Sequence, residues 1–240
     1  MARALRVEFE DALYHVCARG NRRQRIFATE KDFVRFEHLL RESTGRFAIE
    51  LEAYVLMPNH FHLLARTRRP NLGRWMHWLL VSYSVWFNRR HNLSGHLFQG
   101  RYKSFLVEEA SHLLELSRYI HLNPVRGRVI GAGDPGQRRE RLRKYRWSSY
   151  CGYAGLAREK DFVSGARVLE ELDGRKNVSK QRTQTRLSPF CRRGVGPRDR
   201  KSFRSGAVAD CAGQRKVCPK NQGQSGKGNG PRGEEGGGFG

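Results

Sequence analysis

Residues Ala12 to Ala18 read ALYHVCA, with apolar positions recurring at a period near two, and the run stops at Arg19-Gly20-Asn21, a turn signal. This predicts a first strand. Thr29 then precedes EKDFVRFEHLLRES, in which Phe33, Phe36, Leu39 and Leu40 recur at helical spacing behind an N-cap residue, predicting a helix over residues 30–43. Alternation returns in FAIELEAYVL (47–56), and Pro58-Asn59 turns the chain into HFHLLART, so these two segments form an expected antiparallel hairpin. Residues 71–90 carry Trp75, Leu79 and Trp86 on one side and end in Arg89-Arg90-His91, which predicts a long helix whose ring-rich face packs on the sheet. After GHLFQG comes RYKSFLVE, a fourth strand with Arg101 and Lys103 expected on one face. A helix opening at Glu109 or Ser111 carries Tyr119, and Pro124 is expected to stop it. The order strand, helix, two strands, helix, strand, helix describes an α+β domain with a mainly antiparallel sheet and helices packed on it.

Beyond Trp147-Ser148-Ser149-Tyr150 the pattern thins. One short helix is expected around residues 166–172, and after that Arg, Lys, Gly, Ser and Gln dominate. Two parts follow: a folded domain over 1–175 and a low-complexity basic tail over 176–240, expected to be disordered because it has too little apolar surface to offset the entropy of folding.

Charge adds a partner class. Lys plus Arg number 46 against 23 Asp plus Glu, a net charge of +23 spread along the chain, which points to a polyanion. No apolar run approaches the roughly twenty residues needed to cross a bilayer, so no membrane partner is expected. Glu8, Glu10 and Asp11 arrive before any apolar stretch, unlike a signal peptide, and the five cysteines contain no CxxC pair. Both features fit a reducing cytoplasm.

The candidate chemistry lies in His60-Phe61-His62 and in Tyr119 with Asn123. Residues two apart on a strand share a face, so His60 and His62 can offer two imidazoles to one ion while Phe61 anchors the opposite face. Residues four apart on a helix also share a face, so the Tyr119 phenol and the Asn123 amide oxygen can converge on that ion. Two imidazoles and an amide oxygen leave positions open, which suits Mg²⁺ or Mn²⁺ gripping a phosphate better than a closed structural zinc site. His15 and His112 have no comparable support, and His121 is expected on a helix face.

MPNHFHLLA, GHLFQGRYKSFLVE, RYIHLNPVR and WSSY, in this order, resemble the REP-associated tyrosine transposases, a branch of the single-tyrosine HUH, IS200-like transposases. The resemblance runs from about Leu5 to Tyr153 and weakly on to about Arg175. It implies a ferredoxin-like antiparallel sheet with flanking helices, a divalent metal (Mg²⁺ or Mn²⁺) held by His60, His62 and Asn123, and Tyr119 as the nucleophile. It further implies single-stranded or hairpin DNA as substrate, a 5′-phosphotyrosyl intermediate, and a monomer or homodimer. Arg19, Asn21, Arg101, Lys103 and Arg126 are the candidate DNA contacts, and the cluster from Arg138 to Lys144 adds further phosphate-contact candidates.

Two stretches depart from the family pattern. Between Arg126 and Trp147 the chain reads GRVIGAGDPGQRRERLRKYR, which looks like a basic insertion in a DNA-facing loop, and after about Lys180 the likeness ends. The rival from another class is a non-catalytic single-stranded nucleic-acid-binding protein derived from a transposase, and a nearer one is a nuclease in which water replaces Tyr119.

Overall fold

The computed structural model describes residues 8–107, 110–126 and 133–173. The tail expected to be disordered lies outside them. Four alternating segments form strands β1 (Ala12–Arg19), β2 (Ile49–Met57), β3 (His60–Thr67) and β4 (Lys103–Leu106). They pair in the order β2-β3-β1-β4, with every pairing antiparallel. Helix α1 (Glu30–Phe47) joins β1 to β2, and α2 (Leu72–His91) joins β3 to β4, giving the split βαβ arrangement. Thr29 and Asp32 form a capping box at the start of α1, with Asp32 Oδ2 accepting from the Thr29 and Ala28 amides at 2.7 and 2.8 Å. The helix runs past residue 43 to Phe47 and closes on Ala48 in the left-handed region.

Alternation along the strands splits the interior into two cores. On one face Val16, Leu56, Phe61 and Leu63 pack with Phe36, Leu39 and Leu40 of α1 and with Trp75, Met76, Leu79 and Tyr83 of α2. This is the expected packing of the ring-rich face of α2, and the Trp75 indole also donates to Ser43 Oγ at 2.9 Å. Phe61 is wholly buried against Phe36, so its burial contributes about 1.5–3 kcal/mol to holding the strand between the two histidines. On the other face Leu13, Ala53, Val55 and Leu64 meet helix α3 (Ala110–Arg126) and the helices that follow.

Three expectations change on this second face. Helix α3 does not stop at Pro124 but continues to Arg126, because a proline this close to the end forfeits only one late intrahelical bond. The basic segment after it is not simply a loop: residues 135–144 form α4, capped by Asp134, whose Oδ1 accepts from the Gly136 and Gln137 amides at 2.7 and 3.0 Å. Leu142 of α4 is buried, and the Arg138 guanidinium donates twice to the Val125 carbonyl (3.1 and 2.9 Å), so Arg138 caps α3. Finally, β4 is shorter than RYKSFLVE. It begins at Lys103, which leaves Arg101 outside the strand, although both are exposed on either side of the buried Tyr102.

The short helix α5 (Tyr150–Tyr153) and helix α6 (Ala166–Asp173) complete this layer. The register of β2 against β3 shifts between Leu51 and Ala53, so Glu52 is the extra residue of a β-bulge. Its backbone carbonyl accepts the Tyr153 hydroxyl, and its carboxyl is buried with Oε2 lacking a hydrogen-bond partner. Burial, only partly offset by Arg167 and Arg66, pushes that carboxyl up to about 7.

Candidate functional site

Strand pleating places His60 and His62 toward α3 and Phe61 toward α1 and α2. The two imidazoles lie 5.2 Å apart, nearly perpendicular. His60 Nδ1 is 2.7 Å from Asn59 Oδ1, an acceptor, so this nitrogen carries the proton in the assigned orientation of the amide. Nε2 of the neutral ring is then a lone pair, and it faces a second acceptor, Asn123 Oδ1, at 3.4 Å. A cation placed between two such acceptors would satisfy both.

His62 is 1% exposed and its Nδ1 lies 2.9 Å from Nε2 of His15, whose ring stacks on it at 5.1 Å. Burial holds His62 well below the usual imidazole range, with His15, His60 and Arg19 adding to the effect, and burial brings His15 down to about 4. Both rings are therefore neutral near pH 7. The tautomer in which His62 Nδ1–H donates to His15 leaves the His62 Nε2 lone pair free, as a metal ligand requires. The donor set thus fits a divalent ion. Among the described residues no three His, Cys, Asp or Glu side chains form a metal-binding group, so an ion held by the two imidazoles would have to take a third donor of another kind, such as the Asn123 amide.

Tyr119, Asn123 and Arg126 fall at i, i+4 and i+7 of α3 and share one stripe, which the continuation past Pro124 makes possible. The Tyr119 ring stands edge-on to His62 at 5.4 Å and to His15 at 6.2 Å, and it is 9% exposed. The Arg126 guanidinium lies 5.3 Å from its centroid. Glu115, one turn earlier, is exposed, as an ordinary surface carboxylate would be.

The other expected DNA contacts spread around this centre. Arg19 is paired across the sheet with His60 and is half-buried on the same face. Lys103 is exposed, and its partner Cys17 in turn opposes His62, so it belongs to the histidine row. Asn21 opens a turn just past β1, and Arg101 is exposed before β4. The chain reaches that turn through Gly20, where a Cβ would lie 2.2 Å from the Gln24 carbonyl oxygen. Arg22 and Arg23 then take left-handed conformations (φ 50° and 62°), and the loop clasps the Pro58-Asn59 turn through the Ile26 and Phe27 amides, which both donate to the Pro58 carbonyl.

Sequence reasoning passes over His15 and misplaces His121. His121, expected on a helix face, is instead fully buried, with Nε2 2.8 Å from Ser149 Oγ, which also accepts from the Tyr54 amide at 3.0 Å. His15 sits in phase with the buried alternation of β1. Only the register that brings it beside His62 distinguishes it from a core residue.

The model of the family described as "Transposase IS200 like" matches residues 8–123. Among solved structures, that of a REP-associated tyrosine transposase bound to a REP hairpin is 16% identical with a TM-score of 0.50, covering 68% of this chain and 94% of that one. A putative transposase from Deinococcus radiodurans is 18% identical with a TM-score of 0.35, covering 50% and 94%. No curated protein matches the chain. At these identities the first likeness concerns the fold, an antiparallel sheet with packed helices. The family model runs from before β1 to Asn123, the span that builds the histidine pair and the tyrosine helix, so residues 8–123 of this chain match the IS200-like transposase family.

Proposed function

We propose that this chain cleaves and rejoins single-stranded or hairpin DNA, in the cytoplasm, through a 5′-phosphotyrosyl intermediate on Tyr119. The observation that carries the reading is the convergence of His60 Nε2 and Asn123 Oδ1 as facing acceptors beside a Tyr119 ring packed on His62. Mg²⁺ or Mn²⁺ held by His60, His62 and Asn123 would polarise a non-bridging phosphate oxygen and stabilise the charge gained in the transition state.

The remaining work belongs to the chain. His15 fixes the orientation of His62, and Asn59 that of His60, so neither imidazole has to be ordered when substrate arrives. An unperturbed phenol is a poor nucleophile at neutral pH. The Arg126 guanidinium over the Tyr119 ring places a positive charge beside the nucleophile and the phosphate it would attack. Attack forms the Tyr119 O–P bond and breaks the bond to the 3′ oxygen, which leaves as a hydroxyl. The phosphodiester count is unchanged, so a second 3′-hydroxyl can reverse the step and join strands. Arg19 and Lys103, on the histidine face, position the backbone by charge without reading bases.

The test is incubation with Mn²⁺ and hairpin oligonucleotides, followed by a denaturing gel, with Tyr119→Phe alongside. A covalent protein–DNA species present in the wild type and absent in the variant is expected. Cleavage that persists in Tyr119→Phe without an adduct would instead indicate a water nucleophile. Tight binding with neither cleavage nor adduct would indicate the non-catalytic binding protein.

A further inference from the structure

Along the outer edge of β2, away from the histidines, lies a cavity of about 340 Å³. Its wall includes Arg143, Lys144, Arg146, Arg158 and Lys160, with Glu159 as the opposing charge. Three of these cations have acidic partners: Lys144 with Glu140 at 2.9 Å, Arg146 with Glu30 at 3.3 Å and Lys160 with Glu37 at 2.9 Å. Arg143 and Arg158 are exposed and have no ion-pair partner among the described residues. Two exposed guanidinium groups at one concavity, neither in a close ion pair among the described residues, form a site for a polyanion, since each presents a planar fork of donors suited to phosphate oxygens.

The wall is also tied to the catalytic helix. Ser148 bridges to Val55, and Val55 pairs with His62, so two strand spacings, about 10 Å, separate this edge from the histidine row. Ser149, in the same wall, is the residue that bonds His121 of α3 and the Tyr54 amide. The cavity therefore stands at a set register from Tyr119. Phosphates along one strand of a duplex rise about 3.4 Å each, so about 10 Å corresponds to roughly three of them. That spacing is within the reach of the phosphates flanking one held at the tyrosine site.

We infer that this cavity is a second seat for the DNA backbone, in which Arg143 and Arg158 hold phosphodiester oxygens of the segment flanking the one at Tyr119. The inference rests on the DNA-processing reading above. It assigns a role to part of the basic segment after α3, in which Arg138 is spent on the Val125 carbonyl while Arg143 faces the cavity.

The experiment measures hairpin binding by fluorescence anisotropy across a salt series, in the full chain carrying Tyr119→Phe so that no cleavage intervenes. Arg143→Gln with Arg158→Gln is compared with Arg74→Gln with Arg89→Gln, two exposed arginines on α2 across the sheet. The cavity pair is expected to flatten the slope of log K against log salt by about 1.4–1.8, the loss of two released counterions, while the α2 pair leaves it unchanged. Equal slopes in all three proteins, or equal flattening by both pairs, would overturn the seat. Cys151, a half-buried thiol in the cavity wall, supplies a local readout, since DNA is expected to slow its alkylation, mapped by peptide mass, where the same concentration of inorganic phosphate does not. Protection by phosphate alone would make the cavity a small-anion site and overturn the DNA seat. Failure of the Tyr119→Phe protein to bind any hairpin would remove the DNA reading itself, and the seat with it.

Discussion

Replacing Glu52 by Gln isolates one buried charge from everything else in the fold. Glu52 is 1% exposed at the bulge of β2, and its carboxyl titrates near 7 in place of the ordinary 4.5 because burial penalises the ionised form more than Arg167 and Arg66 reward it. Below pH 4.5 the group is protonated in both the folded and unfolded chain and contributes no pH dependence. Between 4.5 and about 7 the unfolded chain ionises first, so the unfolded state binds fewer protons and stability falls as pH rises. At about 1.36 kcal/mol per pH unit, the displacement from 4.5 to about 7 amounts to about 3 kcal/mol, fully lost above pH 7. Glutamine keeps the shape and cannot ionise. The stability of the Glu52→Gln protein relative to the wild type is therefore expected to improve by about 3 kcal/mol between about pH 4 and about pH 8, whatever constant cost the amide itself carries. Urea unfolding followed by tryptophan fluorescence at half-unit pH steps measures this directly, since Trp75 lies in the core. Wild-type and Glu52→Gln curves that run parallel over the whole range would refute the reasoning.

Two further perturbations address the site and its scaffold. His15→Phe removes the partner of His62 Nδ1, and a buried donor left unpaired costs about 1–3 kcal/mol, while loss of the orienting bond is expected to weaken Mn²⁺ affinity about 10–100-fold by titration calorimetry. An unchanged Mn²⁺ affinity would deny His15 that role. Asp32→Ala strips the cap of α1 and the carboxylate facing His91 and Arg90, with an expected loss of about 1–3 kcal/mol at neutral pH by denaturant melt. Burial raises this carboxyl, but His91 and the Thr29 and Ala28 amides outweigh it and hold it below 3.8. The advantage of the wild type is thus present above pH 3.8 and shrinks as pH falls through the depressed value, and a gap that stayed constant into strong acid would contradict the assignment.

Element types were legible along most of the chain because each relied on a local signal. The alternation of ALYHVCA, the Thr29 cap and the Pro58-Asn59 turn act within a few residues of themselves, and β1, α1 and the β2–β3 hairpin appear where those signals stand. The errors arise where a local rule meets tertiary packing. Pro124 disfavours helix, yet α3 is held to Arg126 while Arg138 caps the Val125 carbonyl from outside. The arginine-rich segment after it has the composition of a loop, yet Asp134 and one buried leucine, Leu142, suffice to make α4.

The sequence by itself determined the local geometry of the candidate chemistry, because period two puts His60 and His62 on one face and period 3.6 puts Asn123 behind Tyr119. Only the tertiary structure decided which groups those pairs would meet. The strand register seats His15 behind His62, the length of α3 turns Arg126 over Tyr119, and the segment at Ser149 locks His121 and walls the cavity at β2. Each of these contacts joins residues far apart in the chain or depends on where an element ends. Periodicity records the face a side chain takes on its own element; what lies opposite depends on how the layers pack.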